Sequence, residues 1–308
     1  MSTRPPLRRR RRNQRTGYYV FLLPAALAFT AVIFVPFALN VFYSLLDWRG
    51  GFSPQRFIGL SNYAELLGDD NFWTSFRNTG LVIIAVVIVP TAIGLLIAAV
   101  LFDYIGREFG SRSASFLRAS FYLPQILPIA VAGVVWGWIL NVQGGAANTL
   151  LEAIGVENPP NWLGSTQWAM PAVMMLLIWG QIGFPVVIFM AALQRVDPTL
   201  YEAASLDGAG WLSRFRHITV PQIQPEVFVV SVTATIAALK VFGPIVVLTG
   251  GGPESSTYVP SYYSYFAFFT LSRVGYGAAI ATVLTFITIL IAVVLIAVQI
   301  RASRQNEE

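Results

Sequence analysis

Residues 201–225 read YEAASLDGAGWLSRFRHITVPQIQP: a small-residue cluster with two acids, two arginines and the only histidine, set between two long apolar runs. The chain around it is 56% hydrophobic and 11% charged over 308 residues, with a mean hydropathy of +0.64. Soluble domains carry roughly 25% charged residues, so the composition is that of a membrane protein. Apolar runs recur at about 19–45, 79–102, 119–140, 168–193, 226–249 and 276–300. Each can supply the roughly 20 residues a helix needs to cross a bilayer core. None shows the dyad alternation of barrel strands. The expectation is an all-α membrane protein with six transmembrane helices.

The arginines set the orientation. With both termini cytoplasmic, the inner segments hold Arg4, Arg8 to Arg12, Arg15, Arg107, Arg112, Arg118, Arg195, Arg214, Arg216, Arg301 and Arg304, which is 15 of the 20 basic residues. Arg49, Arg56, Arg77 and Arg273 fall outside, and Lys240 falls within a span. Lys and Arg flanking the spans favour the cytoplasmic side, so residues 201–225 are expected there. The basic run RRRRRNQR at 8–15 then reads as a topology anchor before the first span rather than a nucleic-acid patch. The first apolar run is longer than a signal-peptide core and leads into more spans, which argues against a cleaved leader.

Several chemistries are excluded. Without cysteine there are no disulfides, thiol nucleophiles or thiolate metal sites. One histidine excludes multi-histidine zinc sites, and one lysine, preceded by TIAAL, cannot complete a P-loop. No carboxylate pair lies within a span, so neither an embedded hydrolase nor a proton relay is indicated. No catalytic residue and no metal site is assigned. Transport or scaffolding remains, and an ion-coupled secondary transporter stays open, although no internal repeat is visible.

The opening stretch can now be read locally. Asp197 suits an N-cap and Pro198 the first helical position. Asp207-Gly208 provides a turn, and a second short helix is expected from about Trp211 to His217. Glu202, near the start of the first helix, would gain about 0.3–1 kcal/mol from the helix dipole. Two readings stand. The loop rests Trp211, Phe215 and Ile218 on lipid or the bundle, or the small residues Ala203, Ala204, Ser205, Gly208, Ala209 and Gly210 expose backbone for insertion into a partner's groove.

Glu202, Ala203, Ala204, Asp207, Gly208, Ala209, Phe215, Ile218, Pro221 and Pro225 together resemble the EAA loop of binding-protein-dependent ABC import permeases, with Val220 where the family commonly has leucine. FIGLSNYAELLGDDNFWTSFRNT at 57–79 resembles the external segment of carbohydrate-type permeases. LKVFGPIVVLTGGGPESST at 239–257 resembles their fifth helix and its exit, in the manner of the maltose F-type half. The resemblance implies a type I ABC importer permease fold in a bacterial plasma (inner) membrane, crossed several times. It divides the chain into a basic tail (1–17), a first helix with an external segment (18–75), a five-helix permease core (76–300) holding the coupling loop 194–225, and a tail at 301–308. It also implies a second permease subunit, ATPase subunits that carry the ATP and Mg, and an extracytoplasmic sugar-binding protein. This chain itself would hold no cofactor, and no nucleic-acid partner is implied. The residues listed from Glu202 to Pro221 would then dock on the ATPase.

The family usually has an acid after the position of Phe242. This chain has Gly243-Pro244, so that acid's role does not carry over, and Pro244 is expected to kink or unwind the helix. For the substrate path, the fourth span offers Trp179, Gln181 and Phe184, and the fifth offers Lys240 and Phe242. Each aromatic taken alone reads more readily as helix packing or lipid contact, and Gln181 and Lys240 carry the stronger signal, since a polar group in a span usually faces the bundle interior or a cavity. A lysine at mid-membrane costs roughly 2.5–3.5 kcal/mol on insertion scales, so Lys240 should face a cavity or snorkel to an interface. GGAANTL (144–150) and TGGGPESST (249–257) read as external turns that meet the binding protein, not as phosphate cradles. The function expected is the permease half of an ATP-driven sugar importer. The alternatives are the same architecture for a non-sugar solute such as glycerol phosphate, or the secondary transporter.

Because the lone lysine is misplaced for a P-loop, the purified chain reconstituted alone in lipid is expected to hydrolyse no ATP. Phosphate release above a protein-free blank would overturn this.

Overall fold

The computed structural model describes residues 14–105 and 110–305. Arg4, Arg8 to Arg12 and Arg107 of the topology argument lie outside the described residues, as do the ends of both expected tails. Four unbroken helices are long and apolar enough to cross a bilayer: Phe21–Ser44, Asp70–Asp103, Ala169–Leu193 and Val274–Arg301. Two bent pairs bring the number to six if each is one span: Phe116–Ile126 with Ile129–Ile139, at 94°, and Trp211–Gln222 with Gln224–Leu239, at 69°. Strand is confined, among the described residues, to Leu46–Asp47 paired antiparallel with Arg56–Phe57.

The third and fifth apolar runs also break close to a proline. The third apolar run, expected as one helix, turns at Leu127-Pro128. Proline lacks the donor for a helical rung and pushes the residue before it out of helical dihedrals. The fifth run stops at Lys240 and resumes at Gly243–Leu248, with Pro244 in the first turn of the new piece, where no donor is needed. The expected disruption therefore falls just ahead of Pro244. One carbonyl released there, that of Val241, accepts a hydrogen bond from the Ser261 hydroxyl.

Two apolar cores form, and the Asp70–Asp103 helix runs through both. Near its start, Phe72, Val82 and Val86 pack with Val173 and Leu176, with Ile245, and with Tyr258, Tyr262 and Tyr276. Near its end, Ala98 and Leu101 pack with Phe189, Leu193, Tyr201 and Ile223. Small residues let the backbones meet, as helix packing in lipid favours. A methyl at Gly94 would come within 2.5 Å of the Pro185 Cβ, and one at Gly183 within 2.4 Å of the Phe121 carbonyl oxygen. The first helix is held to the last by Asn40, whose amide donates to the Ala278 carbonyl at 3.2 Å and to Thr282 Oγ1 at 2.9 Å. Its other half, with Phe21 83% and Val32 72% exposed, faces away from the fold.

Gly275 is the tightest of these contacts: an added Cβ would lie 1.9 Å from the Leu46 carbonyl oxygen, whereas Gly80 has open space. Gly275→Ala is expected to cost about 1–3 kcal/mol through overpacking. Gly80→Ala should be neutral or stabilising by up to about 1 kcal/mol. Melting of the two purified variants in detergent tests the contrast; equal Tm values would sink it.

Candidate functional site

The 194–225 loop is built from local signals and then anchored from within. Asp197 caps the helix Pro198–Leu206 by accepting the Thr199 amide at 2.9 Å. That bond holds its carboxyl below the usual carboxylate value. Gly208 then turns the chain at φ +75°. The second helix outruns its expected end at His217. It is α-helical over Trp211–Arg214, π-helical over Phe215–Thr219, and α-helical again over Val220–Gln222. The wider π turn directly precedes Pro221, which lies within the same continuous helix, Trp211–Gln222, and supplies no amide donor to it.

Glu202 is the fifth residue of its helix, and no acid occupies the first turn. The dipole effect fades beyond that turn, so the expected local benefit to Glu202 is absent. Its carboxylate is exposed and has no hydrogen-bond or ion-pair partner among the described residues. Ala203, Asp207, Gly208 and Pro221 are also exposed, while Ala204, Ala209, Phe215 and Ile218 are half-buried. Leu206 and Leu212, not singled out from sequence, are 91% and 70% exposed on the same loop.

The inner side is tied down. Tyr201 is buried and its hydroxyl meets Thr219 Oγ1 at 3.1 Å. Arg214 donates to Ser205 Oγ at 2.8 Å, and Arg195 pairs with Glu226 across the base. Trp211 stacks on Phe215, with ring centroids 5.2 Å apart, and its indole N–H donates to Asp103 at 3.0 Å. Sequence reasoning missed Asp103 and Tyr201. The one available signal was an acid at the end of an apolar run.

The five path candidates do not gather in one place. Trp179 lies edge-to-face on Trp136 at 5.8 Å, and Phe242 lies edge-to-face on Tyr265 at 5.2 Å. Both flank the first core. Phe184 instead packs against the second. Gln181 ends its helix half-buried, with no hydrogen-bond partner among the described residues. Lys240 is exposed and is the C-cap residue of Gln224–Leu239, its backbone amide donating to the Ala237 carbonyl at 3.1 Å, and a cationic residue at a helix C-terminus is favoured by the helix dipole. Beside the break lies an aromatic bed of Tyr258, Tyr262, Tyr265 and Phe266. Sequence reading passed over it because aromatic residues at helical spacing look like core.

At the end opposite the loop, Asn78 donates to the Ser256 and Tyr258 carbonyls at 2.8 and 2.9 Å. Asp69 accepts from the hydroxyls of Tyr263 and Tyr276. Burial first, and the Asp69 carboxylate beside it, push the Tyr263 hydroxyl above its usual pKa, so it stays a donor. Gly251, at φ +82°, fits under two tyrosines: an added Cβ would come 2.3 Å from the Tyr262 ring. The 249–257 turn is thus packed against the aromatic bed.

The described residues thus place straight and bent apolar helices around one long helix, with an outward-facing loop of small residues at one end. Residues 91–304 match the family described as binding-protein-dependent transport system inner membrane component, and the chain belongs to that family. It is 38% identical over 273 residues to the probable ABC transporter permease protein YurN of Bacillus subtilis, covering 88% of this chain and 91% of that one. It is 33% identical to the diacetylchitobiose uptake system permease protein NgcF of Streptomyces coelicolor, covering 93% and 83%. It is also 33% identical to the trehalose/maltose transport system permease protein MalF of Thermococcus litoralis, covering 88% and 89%. A crystal structure of a bacterial ABC transporter involved in alginate import shares the fold, with a TM-score of 0.78, 22% identity, and 94% and 96% of the two chains covered.

Lys240→Met is expected to preserve insertion and to change stability by no more than about 1 kcal/mol, the size of a helix-end charge effect. Transport by the assembled complex should change. Unchanged kinetics across several solutes would leave Lys240 only its capping role.

Proposed function

We propose that this chain is one half of the translocation path of an ATP-driven sugar importer in a bacterial inner membrane, with both termini cytoplasmic. A second permease subunit completes the path, ATPase subunits bind the 194–225 loop from the cytoplasm, and an extracytoplasmic binding protein delivers the sugar at the opposite end. The observation that carries the reading is the two-sided loop. Its inner face is braced within the loop by Tyr201 and Thr219 and hydrogen-bonded to the bundle through Trp211 and Asp103, while Glu202, Ala203, Leu206 and Leu212 are exposed, Glu202 without a polar partner among the described residues. The alanines allow close approach, the leucines supply apolar area, and Glu202 offers a carboxylate to a basic group of the ATPase.

For the solute, the names of the relatives support a carbohydrate: diacetylchitobiose, trehalose/maltose and, in Agrobacterium fabrum, sulfoquinovosyl glycerol. Aromatic faces and hydroxyls beside the break at Lys240 to Phe242 suit the mixed apolar and polar surface of a sugar ring. ATP and Mg act on the partner subunits. This chain supplies the loop that receives their movement and the spans that open alternately to either side.

Glu202→Ala should weaken ATPase attachment about tenfold or more, the size of a lost charge-assisted contact. Gly208→Leu should do the same by forcing a branched residue into left-handed dihedrals. Both should insert normally, and Ser213→Ala should behave as wild type. Pull-down of the ATPase together with sugar uptake tests this; full attachment and uptake in both variants would make the segment a plain interfacial loop.

A further inference from the structure

The Asp70–Asp103 helix is the one element held by side-chain hydrogen bonds at both ends of the described fold. At 1.5 Å per residue its 34 residues span about 50 Å. At its start, Asp69 caps the helix by accepting the Asn71 amide at 2.9 Å and also accepts from Tyr263 and Tyr276. More than two turns further on, Asn78 holds the carbonyls of Ser256 and Tyr258 in the 249–257 turn and its exit. At its finish, Asp103 accepts from Trp211 of the outward-facing loop, 108 residues away in sequence. Pro90 removes one rung, yet the helix runs through it unbroken.

Asp103 lies in a π turn, Leu101–Ile105, at the last described residues of the long helix, and π turns are common at functional sites. On the other side of the bond, Trp211 is stacked on Phe215 at the head of a second π turn. The bonds Tyr201–Thr219 and Arg214–Ser205 brace the loop internally, and Arg195–Glu226 closes its base beside the spans it already joins. The indole–carboxylate bond leaves the loop and enters a different span.

We propose that Trp211 and Asp103 are positioning residues that join the ATPase-binding loop to the long helix, so that movement imposed on the loop is delivered to the 249–257 turn at the other end. The proposal rests on the loop being the ATPase contact. A rigid helix anchored at both ends is a physical route for such coupling, and the demonstration must be energetic rather than spatial.

The chain has no cysteine, so Glu254→Cys, at an exposed position in that turn, gives this subunit a single maleimide target. In the full complex reconstituted in lipid, its labelling rate is read with and without ATP under conditions that block hydrolysis. With the loop otherwise wild type, ATP should change the rate by about fivefold or more, the lower end of allosteric couplings. Trp211→Phe keeps an aromatic ring over Phe215 but has no N–H donor. It should retain the ATPase in pull-down and lose the ATP effect. Asp103→Ala should reproduce that loss, and Asp103→Asn, which keeps an acceptor oxygen, should restore the effect. If Trp211→Phe does not assemble, the two Asp103 variants decide: an equal ATP effect in both overturns the proposal. So does a rate insensitive to ATP without these substitutions, or a full ATP effect in Trp211→Phe. A wild-type chain that retains no ATPase in the pull-down instead overturns the functional reading on which the proposal stands.

Discussion

A backbone amide or carbonyl left unpaired in hydrocarbon costs several kcal/mol, and the irregular parts of this chain are arranged around that cost. Where the fifth run breaks at Lys240 to Phe242, the Val241 carbonyl is taken up by Ser261 and the helix end is capped by the Lys240 amide. Where the 249–257 turn leaves, its carbonyls are taken up by Asn78 and Tyr262. The same constraint keeps the small-residue loop at an end of the bundle. Only there can its outward groups stay unpaired within the chain without penalty, since water or a partner can reach them.

The long helix turns these local solutions into one object. Two separate apolar cores would move independently if nothing rigid crossed between them. The helix from Asp70 contributes Val82 and Val86 to one core and Ala98 and Leu101 to the other. Gly94 allows the fourth span to approach it closely at Pro185, between the two. Polar contacts then sit at its ends rather than along it: Asp69 and Asn78 at one, Asp103 at the other. A subunit that must sense one side of a membrane from the other gains from that layout, because apolar packing transmits position while the polar ends choose what is gripped.

Much of the loop was readable from sequence because its signals are local. Asp197 and Pro198 start a helix, and Gly208 ends it with dihedrals other residues adopt at a cost. The misreadings were also local in origin. The third run has enough apolar residues for one straight helix, yet Pro128 turns it by 94°. Glu202 reads as a residue near the helix start that gains from the dipole, yet counted from Pro198 it is the fifth residue and lies in the second turn. Phe184 looks like a companion of Trp179, but five residues along a continuous helix turn it about 140° away and carry it on to the other core.

By itself the sequence determined the class of protein, the number of apolar runs and the helix–turn–helix form of the loop, because hydropathy, caps and glycine turns act over a few residues. Only the tertiary structure decided that Asp103 meets Trp211, that Asp69 gathers Tyr263 and Tyr276, and that an aromatic bed lies beside the break at Lys240. Those pairs join residues from different helices, up to 207 positions apart. Their energy depends on where distant elements come to rest, and no short window of sequence carries that information.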